Sequence, residues 1–176
     1  EELAALGINV NFAPVLDIST NSRNPGVGAR SFGSDPERAG ILGAAMVRGM
    51  QAHGILATAK HFPGLGEAKV DSHDELPLVD MPRSRLERVE LEPFRAAIEA
   101  DVACIMTAHC SFPALDDSGA PATLSHKILT GLLRAEFGFG GLVITDCLEM
   151  GAVEKRHQAH ESVLRAFGAG ADILLI

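Results

Sequence analysis

Short apolar runs alternate along the chain with segments whose apolar residues recur at helical spacing. Gly7–Val15 (GINVNFAPV) reads as a strand ended by Pro14 and followed by a polar loop. Ser34-Asp35-Pro36-Glu37 then opens a helix, with a capping residue and an acid in the first turn. Its apolar positions Ile41, Leu42, Ala45, Met46 and Met50 fall on helical spacing. Gly54–Lys60 is the next strand, and a long loop runs from His61 to about Met81. Arg83–Ala100 reads as one helix, with Leu86, Val89, Phe94, Ala97 and Ile98 on a stripe. Asp101–Ala108 is a strand, Ser111–Ala122 a polar loop, and Ser125–Phe137 a helix stopped by Gly138. Gly141–Thr145 is a strand, Ser162–Ala169 a helix ended by Gly170, and Ala171–Ile176 a last strand.

Near-continuous apolar strands separated by helices predict βαβ units and a parallel sheet buried on both faces. The pattern alone does not separate a doubly wound sheet from a barrel. Polar residues gather at the carboxyl ends of the strands: Asp17, Lys60, His61, His109 and Asp146. Both architectures bind ligands at that edge.

Composition narrows the function classes. The 47% hydrophobic and 22% charged residues exclude a disordered chain, and no apolar run is long enough to cross a membrane. A formal charge of −8 without a strong basic cluster makes nucleic acid and anionic membranes poor partners. All aromatic residues are Phe, which disfavours a lectin that stacks sugars on Trp or Tyr. Three dispersed cysteines without a CxxC fit a reducing compartment, and a cytoplasmic location is expected. The chain opens on Glu1 rather than Met, so the lack of a visible signal peptide carries little weight.

Several residues can carry chemistry. Lys60-His61-Phe62-Pro63-Gly64-Leu65-Gly66 leaves a strand with a cation and an imidazole, a pair suited to holding hydroxyl groups. It lacks the Gly-Lys-Ser/Thr of a phosphate-binding loop. In Asp71-Ser72-His73 the carboxylate can orient the imidazole and raise its basicity, making His73 a general acid/base; a helix cap or Asx turn is the blander alternative. Asp146, directly after Val143-Ile144-Thr145, is placed for nucleophilic or ligand-binding work, or as a helix cap. Asp17 and Arg30 are loop residues, and Arg30 offers a fork for a polar substrate group. There is no HExxH or CxxC, so neither a metal nor a cofactor is expected.

In order along the whole chain, GINVNFAPVLD (Gly7–Asp17), ARSFGSDP (Ala29–Pro36), AKHFPGLG (Ala59–Gly66), VDSH (Val70–His73), PATLS (Pro121–Ser125) and GLVITDCLEM (Gly141–Met150) resemble glycoside hydrolase family 3, most of all its β-N-acetylhexosaminidase branch. The resemblance implies a (β/α)8 TIM-type barrel domain over residues 1–176. It also implies retaining removal of terminal β-linked N-acetylglucosamine from peptidoglycan-derived fragments. Asp146 matches the nucleophile, His73 the acid/base and Asp71 its partner, while Arg30, Lys60 and His61 match substrate-binding positions. A phosphorylase, a β-glucosidase of the same family or an inactive fragment are the alternatives. The partner implied is a small carbohydrate, and a monomer is expected. Two positions depart from the family: Leu65 where His is frequent, and Cys147 where Asp is common.

Against the ~250 residues typical of such a barrel, 176 is short. The resemblance places the strand candidates as about strands 3 to 8 of an incomplete barrel, the sixth marked only by Pro121–Ser125. Missing neighbours would leave open edges, so low stability or inactivity of this segment alone is the expectation.

Overall fold

The structure, a computed structural model, describes residues 1–176. Its centre is a five-stranded parallel sheet of β1 (Val10–Asn11), β2 (Leu56–Phe62), β3 (Cys104–Thr107), β4 (Leu142–Cys147) and β5 (Ile173–Leu175). Each strand pairs with its successor, in the order β1-β2-β3-β4-β5. A doubly wound sheet reverses its strand order at a switch point, and no reversal occurs here. The sheet is therefore singly wound, as in a barrel wall.

Side chains alternate between two faces along each strand. Ala57, Ala59, Ile105 and Val143 enter a cluster of 33 buried apolar residues beneath the helices. Cys104, Met106 and Ile144 form a smaller cluster on the other face. At the amino ends of the strands this second face opens into an apolar cleft of about 480 Å³, lined by residues including Leu56, Leu142 and Ile173. At the carboxyl end it turns polar: Lys60 stands opposite Met106, Met106 opposite Ile144, and Asp146 lies two residues further on. Period 2 thus delivers Lys60 and Asp146 to one face at one end.

The helices are α1 (Glu2–Ala5), α2 (Pro36–Gln51), α3 (Arg83–Arg88), α4 (Glu92–Glu99), α5 (Gly151–Glu154) and α6 (Ala159–Ala169), with a π-helix over Lys127–Glu136. Asp35 caps α2, its side chain accepting from the Arg38 N–H at 3.2 Å. Gly170 ends α6 in the left-handed region at φ +116°, where a side chain is disfavoured.

Three expectations need correction. The segment 83–100 is two helices: Pro93 sits in the first turn of α4 without an N–H to donate, and Glu90 turns inward to Arg85 at 2.6 Å. Burial pushes the Glu90 carboxyl up, an effect the Arg85 guanidinium opposes. Pro121–Ser125 is no strand, because β3 pairs directly with β4 and Ala122–Leu124 forms a 3₁₀ turn. The first strand is also shorter than the run Gly7–Val15. Pro14 has no N–H for the ladder, although the Ala13 and Pro14 carbonyls still accept from Thr58 and Lys60 at 2.8 and 3.1 Å.

Candidate active site

β2 carries Lys60 and His61 to the carboxyl edge, where His61 meets Asp17 from the segment after β1. Asp17 is buried and accepts from three N–H groups. His61 Nδ1 lies 2.7 Å from its Oδ2, the His61 backbone N 3.3 Å from each oxygen, and the Leu65 backbone N 2.6 Å from Oδ1. A carboxylate only accepts, so Nδ1 carries the proton and the ring is fixed with Nε2 outward. Nε2 is 3.7 Å from Asp146 Oδ2. In the sequence Asp17 reads as a loop residue, and its place at a strand's carboxyl end is the one signal that marks it.

Lys60 is half-buried, and burial lowers its pKa; the Asp146 carboxylate opposes that shift and the Arg30 guanidinium adds to it. Arg30 ends the 3₁₀ turn Gly28–Arg30 and donates to the Gly26 carbonyl. Its charge also acts on Asp71. Lys60 is thus within electrostatic reach of both Arg30 and Asp146, and Asp71 within reach of Arg30.

The loop leaving His61 is packed so closely that glycine is required. A Cβ on Gly64 would stand 2.7 Å from the Glu90 Cβ, and one on Gly66 would collide with the Ile18 carbonyl. Asn24 Nδ2 donates to the Leu65 and Gly66 carbonyls at 2.7 and 3.0 Å. Leu65 itself is buried in the main core, and its backbone N–H reaches Asp17.

Asp71 and His73 form the pair the sequence suggested. Asp71 Oδ1 accepts from the His73 backbone N at 3.0 Å and lies 2.7 Å from His73 Nδ1. The backbone bond, with the side-chain bond behind it, holds the Asp71 carboxyl below the usual carboxylate range. Asp71 therefore stays ionised at neutral pH, and its stabilising effect on the loop is lost only as pH falls through that depressed pKa. His73 is largely exposed.

No hydrogen bond or ion pair joins this dyad to Asp146, but the backbone connects them. The Gly151 and Ala152 N–H groups, in the first turn of α5, donate to the His73 and Ser72 carbonyls, both at 3.1 Å. Lys155 Nζ donates to the Asp74 carbonyl at 2.7 Å. A Cβ on Gly151 would stand 2.6 Å from the His73 carbonyl oxygen and 2.7 Å from that of Asp74. Gly151→Ala is therefore expected to displace the dyad loop. Overpacking of this kind costs about 1–3 kcal/mol, readable in urea unfolding, and leaves the Asp146 side chain itself unaltered.

Asp146 follows the buried Thr145, whose Oγ1 accepts from the Leu175 backbone N at 2.9 Å. Its Oδ1 accepts from the Cys147 N–H at 2.8 Å. His109, at the end of β3, is buried against the same turn. Its Nε2 lies 2.8 Å from the Cys147 carbonyl and its Nδ1 2.7 Å from Thr123 Oγ1. The sequence marks His109 only as a polar strand end. No group of three or more His, Cys, Asp or Glu side chains is arranged to hold a metal ion.

The whole chain, residues 1–176, matches the profile described as "Glycosyl hydrolase family 3 N terminal domain". The chain belongs to glycosyl hydrolase family 3. It is 42% identical over 187 residues to Beta-hexosaminidase A of Pseudoalteromonas piscicida, covering 100% of this chain and 31% of that protein. It is 38% identical over 175 residues to the Beta-hexosaminidase of Pseudomonas aeruginosa (strain LESB58), covering 99% of this chain and 52% of that protein. The family 3 chain thus spans about a third to a half of these curated relatives. Among solved structures, the family 3 beta-N-acetylglucosaminidase from Paenibacillus sp. str. FPU-7 is 51% identical with a TM-score of 0.98, over 99% of this chain and 33% of that one. Beta-glucoside phosphorylase BglX is 32% identical with a TM-score of 0.95, over 99% of this chain and 33% of that one.

Proposed function

We propose that the protein is a retaining glycosidase that removes terminal β-linked N-acetylglucosamine, and that residues 1–176 form part of a (β/α)8 barrel domain carrying its catalytic groups. The observation that carries this reading is the hydrogen-bonded Asp71–His73 pair, tied through the Gly151 and Ala152 N–H groups to the turn that follows Asp146. Two-step displacement needs an ionised nucleophile on one side of the sugar and a proton donor on the other. Asp146 attacks the anomeric carbon as His73 protonates the departing oxygen, and a glycosyl ester forms on Asp146. His73 then takes a proton from water, which attacks the same carbon and releases the sugar with its configuration retained. Arg30, Lys60 and His61 hold the sugar hydroxyls, and Asp17 holds His61. Asp71 keeps the His73 ring in one tautomer and stabilises its charged form. The relatives' names support N-acetylglucosamine as the sugar, and cell-wall fragments are the substrate we infer.

The test is turnover of aryl N-acetyl-β-glucosaminides by the full-length protein, beside the matching β-glucosides. His73→Ala should slow release of a poor phenolic leaving group by about 100-fold or more, and that of dinitrophenolate far less, because general acid catalysis is worth about 10²–10⁴. Equal losses for both leaving groups would remove His73 from the acid role. A neutral imidazole also lets an anion attack the ester, and the likeness to a phosphorylase favours that second reading. A sugar phosphate product, formed when phosphate is added, would establish it; unchanged products would exclude it.

A further inference from the structure

The Asp146 carboxylate has one hydrogen bond, from the Cys147 N–H at 2.8 Å. The approach of His61 Nε2, at 3.7 Å, is longer than a hydrogen bond. The direction of the carboxylate is therefore set by where the backbone of residue 147 sits. That backbone is held at its other end by His109, whose Nε2 is 2.8 Å from the Cys147 carbonyl. We infer that His109 is a positioning residue for the Asp146 carboxylate, acting through the Cys147 backbone.

The hydrogen bond to Cys147 fixes the Nε2 end of His109. The Cys147 carbonyl only accepts, so Nε2 carries a proton. Burial disfavours the charged ring, an effect the Cys147 carbonyl and the Asp146 carboxylate oppose and His61 reinforces. Thr123 Oγ1 has one proton and two acceptors facing it, Nδ1 of the neutral ring at 2.7 Å and the Ala108 carbonyl at 3.0 Å, while Thr107 Oγ1 lies 2.7 Å away on its lone-pair side. All three residues are at most 1% exposed, so water cannot substitute for a lost partner. A relay of buried side chains thus runs from the Thr107 hydroxyl through Thr123 and His109 to the backbone beside Asp146. This gives a role to the turn at Pro121–Ser125, which brings Thr123 to the end of β3.

The inference rests on Asp146 being the nucleophile, so Asp146→Ala is measured alongside. In the full-length protein, His109→Leu removes the donor, and His109→Gln keeps an N–H at about the position of Nε2. With an aryl N-acetyl-β-glucosaminide, His109→Leu should lower kcat by about 10–100-fold with KM within about threefold, since misplacing a reacting group by an ångström costs on that order. His109→Gln should recover a third or more of the lost kcat. If His109→Leu does not fold, His109→Gln and Thr123→Val carry the test, with Thr123→Val expected to lower kcat about threefold to tenfold at unchanged KM. Wild-type kcat in His109→Leu beside an inactive Asp146→Ala overturns the inference and leaves the nucleophile standing. A Gln variant as slow as the Leu variant, or KM rising in step with the loss, also overturns it by showing a merely structural residue. Full activity in Asp146→Ala removes the nucleophile and this inference with it.

Discussion

Replacement of Asp146 by alanine is expected to lower hydrolysis of an aryl N-acetyl-β-glucosaminide by about 10,000-fold or more, the scale on which removing a nucleophile acts. Azide should restore part of that turnover. The truncated side chain leaves space beside His61, and a small anion there can attack the anomeric carbon in place of the carboxylate. Its product is the α-glycosyl azide, with one inversion instead of two, and proton NMR of the anomeric signal distinguishes it from the retained β-product. The alternative chemistry, in which the substrate's own acetamido oxygen attacks, needs no protein nucleophile. In that case Asp146→Ala would keep its turnover and yield no α-glycosyl azide, and the assignment would fall. Asp146 emerges from a buried strand with Leu175 pinned to Thr145 beneath it, so the substitution should leave the fold intact.

The second large effect is expected at Asp17, which touches no reacting atom. Asp17→Asn presents an amide where both carboxylate oxygens now accept from N–H groups. One end of the amide is a donor facing donors, with no water nearby, since Asp17 is 1% exposed. Unsatisfied buried donors cost about 1–3 kcal/mol each, so a loss of about 2–4 kcal/mol in urea unfolding is expected. Activity should fall by about 100-fold, because the ring of His61 loses the contact that aims Nε2 at Asp146. Unchanged stability would mean that the three N–H groups find other acceptors. Unchanged kcat/KM with lowered stability would mean that His61 keeps its orientation without Asp17.

Most strands and helices were legible because their signals are local. Apolar runs of strand length, the Asp35 cap and Gly170 act within a few residues, and each produced the element expected. Over 83–100 the break has a local signal in Pro93, which starts a new helix; what helical spacing does not show is the burial of Glu90 against Arg85 beneath the Gly64 loop. The supposed strand at Pro121–Ser125 failed on a long-range matter. Its residues turn so that Thr123 reaches Thr107 and His109, partners 16 and 14 residues away.

The candidate site divides along the same line. Asp71 and His73 are two residues apart and bond to each other, so the pair could be read from the chain alone. Lys60, His61 and Asp146 could be placed at strand ends by counting alternating positions. What the sequence determined by itself is an α/β chain with parallel strands, its polar edge, and the residues available there. Only the tertiary structure decided that the sheet is singly wound, that Asp17 orients His61 across 44 residues, and that His109 holds the backbone next to Asp146 across 38. The physical reason is that periodicity and capping are set by neighbours along the chain. The direction of a buried carboxylate or imidazole is set instead by whichever donors the packing brings against it, and those come from distant strands.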